Sequence, residues 1–167
     1  MAETTHRLAR DAATAPRALP PAPGAAPAAT DAEAVRAFYA AVEANDAAAL
    51  GRLLAPDWEE TPAAYPGQPP GPEGYAPVVA AFAAAFADVR FELHEVIEAP
   101  GRTVVRTTVR GRHVGPFLGR AATGREVAFD TIDVHEVAGG VLRRSWHIED
   151  FFALVRQFDA APKEVAP

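Results

Sequence analysis

The chain has 167 residues, 16 Lys and Arg against 22 Asp and Glu, a formal net charge of −6, and no cysteine. A chain of this length can bury one hydrophobic core, so a single domain is expected. The lack of thiols excludes disulfides, thiolate metal centres and a cysteine nucleophile, and the acidic balance argues against a nucleic-acid partner.

Residues 1–30 hold eleven of the chain's 39 alanines, with several prolines and no aromatic, Val or Ile. Such a segment cannot bury enough apolar surface to offset its ordering entropy, so a disordered tail is expected. Arg, Asp and Pro interrupt every apolar stretch that could act as a secretory signal, and no run reaches the roughly 18 apolar residues of a membrane span. These features predict a cytoplasmic protein with no membrane partner. Residues 31–158 form the expected domain, and 159–167 a second short tail.

Thr30 and Asp31 followed by Glu33 read as a helix start, and Val35, Phe38, Tyr39 and Val42 recur at helical spacing over about residues 31–44. Asn45-Asp46 is a break and a new cap, and Leu50, Leu53 and Leu54 mark a short second helix. Residues 56–74 hold six prolines and three glycines and read as a loop, in which only Trp58 to Thr61 could be a strand. Glu73 to Asp88 reads as a third, alanine-rich helix.

The hydrophobic period then changes to two. Val89 to Ile97, Thr103 to Val114, Glu126 to Val137 and Val141 to Asp150 read as strands, and Phe151 to Phe158 as a terminal helical turn or two. Pro100-Gly101 and Gly139-Gly140 supply turns, the second a strong tight-hairpin signal. Three helices followed by four antiparallel strands predict an α+β fold with helices packed on one face of a curved sheet.

With Gly139-Gly140 as the two turn residues, residue numbers paired across the last hairpin sum to 279. Phe129 then faces Asp150, Thr131 faces Ile148, Asp133 faces Trp146 and His135 faces Arg144, and all eight share one surface. The opposite surface carries His147 and Glu149 among others, facing solvent or an oligomer contact. Both surfaces mix polar and apolar residues, so hydrophobicity does not say which is concave, and a one-residue error in the turn would scramble the pairing. Asp150, at a strand-to-helix junction, also reads as a helix N-cap, Trp146 as core, and His113 as a strand-end residue. No histidine spacing matches a metal motif and no glycine pattern matches a phosphate loop, so neither metal nor nucleotide cofactor is expected. Ser145, the only serine, lacks the glycines of a nucleophile elbow.

Gly-x-His-x-Gly-x-Phe-x-Gly over 111–119, followed by Thr123-Gly124, and Trp146-x-x-x-Asp150 before Leu154-x-x-Gln157, resemble the SnoaL-like polyketide cyclases, or ester cyclases, of the nuclear transport factor 2-like superfamily. The resemblance spans about residues 31–158. It implies a cone-shaped barrel made from a curved, mainly antiparallel sheet of four to six strands wrapped on three N-terminal helices. It also implies an intramolecular aldol condensation of a polyketide-like ester, without metal or cofactor, in which Asp150 is the acid/base. Ala121-Ala122 before Thr123-Gly124 departs from the Pro-Thr-Gly common in the family.

A lone carboxylate in an apolar pocket suits such chemistry, because a methylene between two carbonyls is already acidic. Asp150 is accordingly the expected acid/base, with His113, His135 or Arg106 as donors to the enolate. Trp146, Phe129, Ile148, Asp133, Tyr39, Phe117 and His147 are the expected contacts of a hydrophobic small-molecule substrate. Rival readings are epoxide opening, isomerisation or hydroxylation in the same cone, and a non-catalytic ligand-binding or dimerisation module. An Asp133–Arg144–Asp150 triad of the epoxide-hydrolase kind is disfavoured, since Arg144 and Asp150 lie about 20 Å apart along one strand. A dry cavity containing Asp150 would favour an enzyme, and Asp150 capping the terminal helix over a filled interior would favour a module. The mixed outer face of the sheet further suggests a homo-oligomer, a dimer or tetramer.

Overall fold

The computed structural model describes residues 30–160, so the expected tails fall almost wholly outside the described residues. The elements are α1 (Asp31–Glu43), α2 (Ala47–Leu53), β1 (Leu54–Thr61), α3 (Gly71–Ala85), β2 (Phe86–Ala99), β3 (Arg102–His113), β4 (Glu126–Ala138), β5 (Val141–Glu149) and α4 (Phe151–Asp159). α1 starts where its sequence predicts. The Thr30 hydroxyl accepts the Glu33 amide and the Glu33 carboxylate accepts the Thr30 amide, which satisfies two amides that the helix leaves unpaired. Asp46 caps α2 in the same manner through the Ala49 amide.

The five strands form one open mixed sheet in the order β1-β5-β4-β3-β2. β1 is the main departure from expectation. Trp58 to Thr61, the one stretch of the proline-rich loop that the sequence allows as a strand, belongs to a longer strand that begins at Leu54, expected in the second helix, and runs parallel to β5, pairing Glu60 with Ser145. Its Pro56 lacks a donor for the ladder, but an edge strand tolerates this, and the pairing is irregular between Leu54 and Glu59. Gly71, at φ +77°, then opens α3 where a Cβ would stand 2.4 Å from the Pro56 carbonyl oxygen.

The β4–β5 hairpin turns through Gly139 and Gly140, both at positive φ, as an Asn-Gly-like turn requires. Beside the turn the paired numbers sum to 279, as in Ala138 with Val141 and Val137 with Leu142. From Glu136 and Arg144 onward they sum to 280. Arg143 is therefore an extra residue on β5, a bulge, and it turns over every side chain of β5 beyond it. Ser145, His147 and Glu149 share the concave face with Thr131, Asp133 and His135. Trp146 and Ile148 take the outer one.

Helices α1 to α3 and α4 cover the concave face. One apolar cluster joins Val35, Phe38, Tyr39 and Leu50 to Trp58, Val105, Val137 and Leu142, and a second joins Phe86, Val109 and Phe129 to Leu154 and Phe158. β5 ends opposite Thr131, so the first residues of β4 lack a partner on that side. Gln157 fills the gap: its side-chain amide accepts the Ala128 N–H at 2.9 Å and donates to the Ala128 carbonyl at 2.7 Å. No helix among the described residues is long and apolar enough to cross a membrane.

Leu154 is fully buried and Phe152, two residues earlier, is 76% exposed. Leu154→Ala should lower the unfolding free energy by about 2–5 kcal/mol, and Phe152→Ala by no more than about 0.5 kcal/mol. Urea titrations of the two variants check this, and equal effects would contradict the packing of α4.

Candidate active site

A cavity of about 680 Å³ lies between the concave face of the sheet and the helices. Phe38, Trp58, Tyr75, Phe82, Phe91, Phe117, Phe129 and Phe151 make its walls largely aromatic. Most of the polar side chains enter from the sheet. Thr131, Asp133 and His135 come from β4, Ser145, His147 and Glu149 from β5, Glu60 from β1 and Tyr39 from α1. No Lys or Arg is among the lining residues.

Two polar groups converge there. In the first, Asp133 Oδ2 accepts hydrogen bonds from the Tyr39 hydroxyl at 2.9 Å and the Thr131 hydroxyl at 2.7 Å. The Tyr39 oxygen also lies 3.0 Å from His135 Nε2, and His135 Nδ1 lies 2.8 Å from Ser145 Oγ, which accepts the Trp58 indole N–H at 3.1 Å. Burial holds the Asp133 carboxyl above its usual range, partly offset by the bonds from Thr131 and Tyr39 and by the His147 charge. Burial, reinforced by His147, pushes the His135 ring down to about 4, so it is neutral at neutral pH.

The second group centres on His147, the cross-strand neighbour of Asp133. Its Nδ1 is 2.6 Å from Glu149 Oε1, and its Nε2 is 3.0 Å from the Pro62 carbonyl and 3.5 Å from Glu60 Oε2. Burial alone would lower its pKa, but the hydrogen bond to Glu149 and the charges of Glu149, Glu60 and Asp133 outweigh it and lift the ring up to about 9. Burial raises the Glu60 carboxyl, against a hydrogen bond from Gln68 at 2.7 Å. Both histidines have both ring nitrogens engaged. Among the described residues no three His, Asp or Glu side chains are grouped to hold a metal ion.

The site differs from the one expected. Tyr39, Phe117, Phe129, Asp133, His135 and His147 do line the cavity. Asp150 does not: its carboxylate caps α4 by accepting the Ala153 amide at 2.8 Å, on the exposed side of the junction. Trp146 lies on the outer face under Arg102, whose guanidinium is 4.7 Å from the ring centroid, and Ile148 is 78% exposed. Both corrections follow from the bulge at Arg143. Arg106 sits at an outward position of β3 and pairs with Glu95 at 3.2 Å. His113 points inward but is sealed in the second apolar cluster, stacked 3.9 Å from the Phe158 ring centroid and within 3.1 Å of the Thr123 hydroxyl.

The glycine motif around His113 serves packing as well. The amides of Val114 and Gly115 both reach the Ala85 carbonyl, and a Cβ on Gly115 would meet the Ala84 carbonyl oxygen at 2.3 Å. Glu60, Ser145, Glu149 and Trp58 were not foreseen in the site. Glu60 and Trp58 fall in the one stretch of the proline-rich segment that the sequence allows as a strand, with nothing to place it beside β5, and Ser145 and Glu149 fall on the face that the 279 register turns away from the site.

The unfolded His147 titrates near 6.5, and its folded value is about 9. The stability it contributes is therefore full below pH 6.5 and is lost as the pH rises through 9. Between pH 6.5 and 9.5 the unfolding free energy should fall by roughly 3 kcal/mol more for the wild type than for His147→Gln. Superimposable pH profiles would contradict the charged pairing.

A family model for SnoaL-like polyketide cyclases matches residues 32–158. A search of curated protein sequences gave no match. Among solved structures, TsrD from Streptomyces laurentii is 28% identical, with 77% of this chain and 94% of that chain covered and a TM-score of 0.70. IdmH from Streptomyces antibioticus is 24% identical over 78% of this chain and 99% of its own, with a TM-score of 0.68. A SnoaL-like polyketide cyclase from Agrobacterium tumefaciens is 23% identical over 77% and 97%, with a TM-score of 0.66. The last two likenesses bear on the fold. With helices over an open curved sheet, a cavity between them and the family model spanning nearly all the described residues, the chain belongs to the SnoaL-like polyketide cyclase family.

Proposed function

We propose that the protein is an acid/base enzyme that closes a ring in a hydrophobic, polyketide-like ester, with Asp133 as the base. One observation carries this reading. Asp133 is a buried carboxylate at the wall of an aromatic cavity, and both of its hydrogen bonds fall on Oδ2. Oδ1 receives none among the described residues and is the atom left for a substrate proton. Burial raises its basicity toward that of a useful general base, while the two donors keep it from becoming neutral too readily.

The steps balance without an electron acceptor. Asp133 Oδ1 removes a proton from a methylene flanked by carbonyls, leaving an enolate. The enolate carbon attacks a second carbonyl of the same molecule, forming one C–C bond, and the resulting alkoxide takes the proton back from Asp133. His147, cationic at neutral pH, supplies positive charge beside the developing enolate, and its Nε2–H on the Pro62 carbonyl is the donor a substrate oxygen would take over. The aromatic walls fold a flexible chain so that its two reacting carbons meet. The walls carry the carboxyls of Glu60, Asp133 and Glu149 against one cation, His147, and no Lys or Arg, so a neutral ester suits the cavity better than its acid.

Hydrogen–deuterium exchange at the acidic carbon of an aromatic β-keto methyl ester in D₂O tests the base without knowledge of the natural substrate. The wild type should accelerate exchange, Asp133→Asn should lose about 10²-fold or more of that acceleration, and Asp150→Asn should retain it. Wild-type exchange by Asp133→Asn would remove Asp133 from the mechanism.

A further inference from the structure

The chain of contacts from Trp58 to Asp133 has ends of fixed chemistry. An indole N–H can only donate, and the Trp58 Nε1–H, in a residue 1% exposed, donates to Ser145 Oγ. At the other end, a carboxylate can only accept, and Asp133 Oδ2 accepts from Tyr39. The Tyr39 hydroxyl has a single proton. Once that proton is spent on Asp133, the contact between Tyr39 Oη and His135 Nε2 requires the proton to be on Nε2. A neutral ring then has a bare Nδ1, which accepts the hydroxyl proton of Ser145.

We propose that Trp58, Ser145, His135 and Tyr39 form a one-way relay of hydrogen-bond donors that locks His135 as its neutral Nε2–H tautomer and holds Asp133 Oδ2 in place, making these four the positioning residues of the base. This rests on the reading of Asp133 as the base.

The opposite polarity fails on the same contacts. It would need a proton on Asp133 Oδ2, the atom that already accepts the Thr131 hydroxyl. It would also make Ser145 Oγ accept from both Trp58 and His135, with its own proton left without a partner in a site 3% exposed. Burial of the other two members agrees with the forward polarity. The Tyr39 hydroxyl is pushed far above its ordinary value by burial and by Asp133, so it stays protonated and can donate. The His135 ring, held down at about 4, stays neutral across the working range of an enzyme.

The relay does not conduct protons, because an indole N–H at its outer end cannot exchange roles. Its consequence is static. Two lone pairs of Oδ2 are occupied by fixed donors, so Oδ1 can gain and lose the substrate proton without any donor reorienting. His147 and Glu149 are the other charged groups that act on Asp133, and neither belongs to the relay.

The test uses the full chain labelled with nitrogen-15 in its histidines and carbon-13 in its aspartate carboxyls. Two-bond proton–nitrogen correlation spectra should show His135 neutral at pH 7, with hydrogen on Nε2, and unchanged down to about pH 5.5. Hydrogen on Nδ1, or a charged ring at pH 7, would overturn the proposal from the wild type alone. In the second arm, Tyr39→Phe should raise the Asp133 titration midpoint by about one pH unit. Ser145→Ala should raise it by a smaller step that Ser145→Thr reverses, which a merely structural serine would not produce. An unmoved Asp133 midpoint in folded Ser145→Ala would overturn the positioning role. Neither arm reads turnover: a wrong tautomer with deuterium exchange intact sinks the relay alone, and an inert Asp133 with the tautomer intact sinks the catalytic reading alone.

Discussion

One extra residue in β5, Arg143, decides which chemistry the interior of this protein contains. Strand side chains alternate faces, so a single insertion exchanges the whole inner set of a strand for its outer set beyond that point. Here it brings Ser145, His147 and Glu149 against Thr131, Asp133 and His135, and sends Trp146 and Ile148 outward. Every polar contact of the cavity between β4 and β5 depends on it. The parallel docking of β1 on β5 then sets Glu60 beside Ser145 and within reach of His147. The outer face uses its displaced aromatic differently, with Trp146 lying beneath the guanidinium of Arg102.

Within the cavity, burial and charge pull the ionisable groups apart. His135 and His147 are two residues apart on adjacent strands of one sheet face, yet one is held neutral and the other cationic. The difference lies in their partners. His135 hydrogen-bonds only with hydroxyls, of Tyr39 and Ser145, which leave desolvation unopposed. His147 sits between the carboxylates of Glu149 and Glu60, which overcome it. Asp133 stands between the two, a carboxylate with one neutral and one charged imidazole as neighbours. Environments that separate the proton affinities of adjacent groups are what acid/base chemistry near neutral pH requires.

Much of the fold was readable from the residues. The Thr30–Glu33 capping box, the 3.6-residue period of α1 and the Gly139-Gly140 turn each have a local cause, and each element lies where that cause puts it. The change to period two is legible too, but β2 begins at Phe86, inside the stretch that reads as the end of the third helix. Half of the site was readable as well, since Phe129, Asp133 and His135 follow one another along a regular β4. The β5 half was not. A bulge leaves no mark in a strand whose two faces are equally mixed, and the alternation of Arg144, Trp146, Ile148 and Asp150 is as regular as that of Ser145, His147 and Glu149. Of β1 only Trp58 to Thr61 is legible as a possible strand, because Pro56 and the proline-rich segment that follows mask the rest, although an edge strand can carry such a residue. The aspartate that ends β5 had two readings, and the Ala153 amide shows it serving as the cap of α4. The family motifs were informative about the fold for the same reason: Gly115, Leu154 and Gln157 act in packing and sheet termination.

The register of β5 can be measured directly because the chain contains no cysteine, so that any introduced thiol is unique. Ser145 is 3% exposed and Ile148 is 78% exposed. Labelling of single-cysteine variants with a bulky maleimide dye should be fast for Ile148→Cys in the folded protein, and blocked for Ser145→Cys until the chain is unfolded in urea. Fast labelling of folded Ser145→Cys together with a protected Ile148→Cys would place β5 one residue out of this register and dissolve the site built upon it.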